Sequence, residues 1–90
     1  MSNMIFTDDG WEDYLYWQTQ DKKTLKKINR LLRDIQRQPF SGEGKPEPLK
    51  NQEGDWSRRI NEKDRLVYRI EDEDVLIKQW MSLISFEDNY

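Results

Sequence analysis

The 90-residue chain contains neither histidine nor cysteine. Without cysteine it can form no disulfide and no nucleophilic thiolate, which agrees with a reducing, cytoplasmic setting. With both residues missing, a transition-metal site lacks its usual ligands, and neither a metal nor another cofactor is expected. No apolar run approaches the ~20 residues that cross a bilayer, and no signal-peptide pattern opens the chain, so no membrane association is expected. Glycine and proline are scarce, at four and three residues. Two of the prolines, Pro46 and Pro48, crowd into "GEGKPEPLK" (42–50) with Glu47 between them. Each proline fixes φ and removes a backbone donor, which argues against a helix or a central strand there.

What the chain does have is charge and large aromatics. Charged residues make up 37% of it and hydrophobic residues only 34%, so burial must come from few, large side chains. Four tryptophans and a 12% aromatic share make one modest core feasible, and residues 1–90 read as a single folded domain. The net charge of −3 is unevenly spread. Between Lys22 and Arg65, thirteen Lys/Arg face seven Asp/Glu, a local +6; the remainder carries two bases and eleven acids, a local −9. A basic middle between acidic ends fits a polyanionic partner, and equally a solvated helix face.

Periodicity predicts the elements. "NMIF" reads as a short first strand. Thr7, Asp8 and Asp9 are candidate caps for a helix with Trp11, Tyr14 and Leu15 at i, i+3, i+4. A second helix starts at Asp21, carries Leu25, Ile28, Leu31, Leu32 and Ile35 on one stripe, and ends before Pro39. The short link predicts an antiparallel αα-hairpin. "DWSRRI" and "DRLVYRI" read as strands joined by "NEKD", "EDED" as a second turn, and "VLIKQWMSLISF" as one or two final strands. The expected fold is α+β: an antiparallel sheet in the order β-α-α-β-β-β, with the hairpin on one face.

One constellation could carry chemistry. RNA cleavage through the 2′-hydroxyl needs a base for its proton, cations for the phosphorane-like transition state, and an acid for the leaving 5′-oxygen. Glu47 is the candidate base; Arg58, Arg59, Arg65, Lys45 and Lys50 are candidate cations, arginine being suited to phosphate by its planar fork. By pattern alone the constellation is weak, because carboxylates near arginines are usually structural ion pairs. Trp56 and Tyr68 could stack on bases or pack into the sheet, and Trp11, Tyr14 and Trp17 fit a core or a partner surface.

The runs "WEDYLYWQTQDKKTLKKINRLLRDIQRQPFSGEGKPEPLK" and "WSRRINEKDRLVYRI" resemble the YoeB/Txe branch of the RelE/ParE superfamily of bacterial toxin–antitoxin systems, over nearly all of the first 70 residues. "GKPEPLK" followed by "WSRRI" and "RLVY" carries the likeness to this branch. The resemblance implies a microbial-ribonuclease-like α+β fold, ribosome-dependent cleavage of mRNA in the A site, a YefM-type antitoxin as partner, and a homodimer. It gives Glu47 the role of base, Arg59 and Arg65 those of phosphate and transition-state ligands, and Lys50 a further basic contact.

The family's chain ends in a His-Tyr pair whose histidine is the implied general acid. Anchoring "SFEDNY" on that ending places Asn89 at the histidine position and Tyr90 at the tyrosine, with roughly six extra residues in "EDEDVLIKQWMS". An ungapped alignment places Leu83 and Ile84 there instead. The end-anchored one is preferred, because the terminal Asn-Tyr fits the family's ending and an insertion fits a turn region. Asn89 and Tyr90 are therefore the expected site residues. In either case the acid is missing, since an amide can donate a hydrogen bond but cannot transfer a proton at neutral pH. Three functions follow: an endoribonuclease toxin weakened by that loss, a non-catalytic homologue that binds antitoxin and represses its operon, and a gyrase poison like the ParE relatives. The intact "GKPEPLK", "SRRI" and "RLVY" argue against the third. The basic middle is the expected contact for an acidic antitoxin segment that folds on binding.

Overall fold

The apolar stripe of the second helix organises the molecule. A computed structural model describes residues 3–50 and 52–82, with β1 (Met4–Phe6), α1 (Asp8–Gln18), α2 (Lys22–Arg37), β2 (Glu47–Pro48), β3 (Asp55–Arg59), β4 (Asp64–Glu71) and β5 (Asp74–Ser82). Ile28, Leu31, Leu32 and Ile35 of α2 pack with Ile60, Leu66, Tyr68, Val75, Ile77 and Trp80 in one core between the helices and a single sheet. Each such side chain contributes about 1.5–3 kcal/mol on full burial. Asp21 caps α2 by accepting from the Lys23 and Thr24 N–H groups, at 3.2 and 3.3 Å.

The five strands run in the order β1-β5-β4-β3-β2. The expected sheet was antiparallel throughout. Four strands are, but β1 lies parallel to β5, with Met4 opposite Val75 and Phe6 opposite Ile77. The connection between these two strands runs through both helices and β2 to β4, far longer than a parallel pairing requires. The proline-rich loop contributes β2, a two-residue strand at the sheet edge, where missing donors cost least.

The first helix departs from its expected face. Thr7 caps it, its Oγ1 accepting from Gly10 N at 3.0 Å and donating to Lys78 O at 2.7 Å. The residue it buries is Gly10, over which an added Cβ would meet the Ile77 backbone. Trp80 Nε1 donates to Gly10 O at 2.9 Å. This close approach turns Tyr14 and Trp17 onto the core and leaves Trp11 and Leu15 47% and 44% exposed. Aromatic spacing alone could not show which flank of the helix the glycine would press against the sheet.

The β4–β5 hairpin closes through Asp72 and Glu73, both in the left-handed region, between the paired Glu71 and Asp74. That is the geometry of a two-residue turn matched to strand twist. A six-residue insertion was expected between residues 71 and 82. None is looped out: β5 is continuous, and its pairing with β4 shifts once, leaving Lys78 as a single bulged residue between Ile77 and Gln79. Asn89 and Tyr90, and their alternatives Leu83 and Ile84, lie outside the described residues.

Candidate active site

Strand alternation sorts the candidate cations onto two faces. Trp56, Arg58 and Ile60 point toward the helices, while Asp55, Ser57 and Arg59 point the other way. On β4, Leu66 and Tyr68 join the core, and Arg65, Val67 and Arg69 share the second face with Ser57. Edge strand β2 sets Glu47 opposite Ser57, so Glu47 joins that face too.

There Glu47 and Arg65 meet. The Arg65 guanidinium, with 4% of its side chain exposed, donates from Nη1 to the Glu47 carboxylate and, at 2.7 Å, to Ser57 Oγ. Half of the Glu47 side chain remains exposed. Arg59 is registered opposite Arg65 and half-buried, and its Nε meets no acceptor among the described residues. Lys45 and Lys50 stand exposed on either side of β2. The loop before Glu47 turns through left-handed Gly44 and Lys45, and Arg59 N donates to Gly44 O at 2.7 Å. A Cβ on Gly44 would approach Arg59 O and Leu31 Cδ2 to 3.0 Å, so the loop fits here only with glycine. An accessible carboxylate thus lies beside two arginines, one nearly fully buried and one half-buried.

Arg58 does not belong to this group. It is fully buried on the opposite face, donating to Asp34 at 2.5 Å, to the carbonyls of Gln38, Ser41 and Glu43 at 2.6, 2.7 and 3.1 Å, and to Tyr68 Oη at 3.3 Å. With its donors engaged, it ties the 38–43 loop to α2 and has none for RNA. Burial pushes the Asp34 carboxyl up, but hydrogen bonds from Gln38, Arg58 and the Glu43 N–H outweigh it and hold it below the usual carboxylate range. Tyr68 is likewise no base platform: it is wholly buried and donates to Pro39 O at 2.5 Å. Burial raises its hydroxyl above the ordinary tyrosine value, despite the opposing Arg58 hydrogen bond, which keeps it a donor. Trp56 packs on Phe40 with ring centroids 4.8 Å apart, on the helix side of the sheet.

Sequence reasoning missed Ser57, which fixes Arg65, and Asp34, which neutralises Arg58. Both carried a signal: Ser57 alternates with Arg58 on its strand, and Asp34 falls three residues after Leu31 on the apolar stripe. Among the described residues no cluster of acids could hold a metal ion, and no helix is long and apolar enough to cross a membrane.

Comparison with known proteins identifies the family. The family model for the YoeB-like toxin of bacterial type II toxin–antitoxin systems matches residues 6–82. Toxin YoeB of Escherichia coli K12 is 56% identical over 75 residues, covering 82% of this chain and 89% of that protein. Toxin YoeB of Synechocystis is 60% identical over 75 residues, covering 82% and 87%. Among solved structures, the YoeB/ParE toxin from Agrobacterium tumefaciens superposes with a TM-score of 0.83 at 41% identity, covering 89% of this chain and 96% of that one. The toxin in the Staphylococcus aureus YoeB-YefM complex gives 0.80 at 44%, covering 90% and 95%. The chain belongs to the YoeB-like toxins of bacterial type II toxin–antitoxin systems.

Proposed function

We propose that this toxin is an endoribonuclease that cuts mRNA in the ribosomal A site, with Glu47 as general base. The observation that carries the reading is the half-exposed Glu47 carboxylate held by a buried, Ser57-anchored Arg65. Glu47 takes the proton from a ribose 2′-hydroxyl; the 2′-oxygen attacks the adjacent phosphorus, and the bond to the 5′-oxygen breaks. A phosphate one bond from that hydroxyl would lie within reach of Arg65, and the half-buried Arg59 registered opposite it brings a second guanidinium to the same face. Lys45 and Lys50 add positive charge along the loop. Cleavage on programmed ribosomes tests the assignment: Glu47→Gln should cut far more slowly at an unchanged melting midpoint, and equal rates would remove Glu47 as base.

The departing 5′-oxygen needs a proton, and the chain has no histidine to give it. That absence favours a second reading, an impaired toxin acting mainly through antitoxin binding and operon repression. Paired variants separate the two alignments of the C-terminal residues. The end-anchored alignment predicts faster cutting in Asn89→His, and the ungapped one predicts it in Leu83→His; no gain in Asn89→His would count against the end-anchored alignment. If neither gains and unrestrained expression leaves growth unharmed, the binding role stands.

For partners, we infer a YefM-type antitoxin and a homodimer, on the strength of the Staphylococcus aureus YoeB-YefM complex and YoeB dimer that the chain resembles. The basic middle of the chain should bind an acidic antitoxin segment, so the complex should weaken as salt rises. Salt-insensitive binding would contradict that contact.

A further inference from the structure

A second charged cluster lies on the site face of the sheet. Asp55, 1% exposed, holds two cations: Arg69 Nε at 2.8 Å from Oδ1, and Lys78 Nζ at 3.4 and 3.0 Å from Oδ1 and Oδ2. Asp55 is registered opposite Arg69, two residues along β3 from Ser57, which lies opposite both Glu47 and Val67. At ~3.3 Å per residue the cluster therefore begins roughly 7 Å from the Glu47 row, on the same face.

The two cations are not equivalent. Arg69 is largely committed: it also donates to Glu53 O at 2.6 Å and lies 3.7 Å from the exposed Glu71 carboxylate. Lys78 carries three N–H donors, two directed at Asp55, and its side chain is 35% exposed. It is also the bulged residue of β5, and bulges re-aim side chains beside functional sites. The bulge is fixed from behind, since Thr7 N donates to Ile77 O at 2.9 Å and Thr7 Oγ1 to Lys78 O at 2.7 Å. Both cations share the buried Asp55 carboxylate, and the other carboxylate, Glu71, lies on the Arg69 side, so the partly exposed Lys78 ammonium is the member of the cluster open to a further anion.

Resting on the nuclease reading, we propose that Lys78 is an RNA-binding residue that contacts a phosphate flanking the scissile one, with Asp55 and Arg69 as its positioning groups. The probe is mRNA on programmed ribosomes carrying a single neutral methylphosphonate at each linkage on either side of the cut. With unmodified mRNA, Lys78→Gln should lower kcat/KM about tenfold, chiefly through KM, and Lys78→Arg should restore most of it. One flanking methylphosphonate should cost the unaltered chain a similar factor and cost Lys78→Gln almost nothing more. Arg69 still holds Asp55 in that variant, and its melting midpoint reports whether the fold is retained. If Lys78→Gln does not fold, the methylphosphonate scan of the unaltered chain decides, and insensitivity at every flanking linkage overturns the proposal. So do losses that multiply at all linkages, or normal kinetics in a folded Lys78→Gln. Failure of the unaltered chain to cut any mRNA would instead defeat the nuclease reading, and this inference with it.

Discussion

Two arginine–carboxylate pairs sit on opposite faces of the same two strands, and their settings separate structure from chemistry. The Arg58–Asp34 pair is closed: the guanidinium is inaccessible and its donors end on Asp34, three loop carbonyls and Tyr68. The Arg65–Glu47 pair is open at one end, with a buried arginine presenting a half-exposed carboxylate. Both are charge-assisted and short. What differs is whether the carboxylate can be reached by anything but its partner. A closed pair is costly to break and can do nothing else; an open pair contributes less to the fold and can exchange a proton.

Breaking the closed pair should have the largest effect. Arg58→Ala leaves Asp34 buried and three carbonyls without donors, a loss of about 3–5 kcal/mol. At ~4–8 °C per kcal/mol for a domain of this size, thermal denaturation should show a fall of well over ten degrees. A near-normal midpoint would contradict the closed-pair reading. Removing the open carboxylate should act on rate instead: Glu47→Gln should lower cleavage by about 10²–10⁴-fold, the usual worth of acid–base catalysis.

Acid should distinguish the pairs next. Asp34 has its carboxyl pKa lowered in the folded state, so its stabilising contribution is full above the unfolded value and is lost as pH falls through the folded one. Denaturant midpoints should therefore drop below about pH 4, and Asp34→Asn should flatten that drop while lowering stability at neutral pH. An unchanged slope in Asp34→Asn would assign the acid sensitivity elsewhere. The smallest effect is expected from Ser57→Ala, which removes one anchor of Arg65 and should slow cleavage by roughly threefold to tenfold. Rates unchanged in that variant would show that Arg65 needs no second anchor.

Much of this contrast was legible in the sequence, though not all. The stripe on α2 and the alternation of β4 appear in the fold as read. Alternation also separates Arg58 from Arg59, since Trp56, Arg58 and Ile60 must share a face, but adjacent arginines look alike until the helices are placed on one side. The parallel pairing of β1, the turn of Trp11 toward solvent and the bulge at Lys78 were not legible. Each depends on contacts between residues more than sixty positions apart, such as Thr7 with Lys78 and Gly10 with Trp80. The proline loop was read correctly as neither helix nor central strand; its residues offered Glu47 as a base or a surface ion pair, and the resemblance to a known toxin branch favoured the base.

The most direct test is cleavage of A-site mRNA on programmed ribosomes by the unaltered chain and by Glu47→Gln, each with its melting midpoint. Glu47→Gln should melt within a few degrees of the unaltered chain and cut at least about a hundredfold more slowly. Equal cutting by the two folded proteins would contradict the assignment of the open carboxylate as the base.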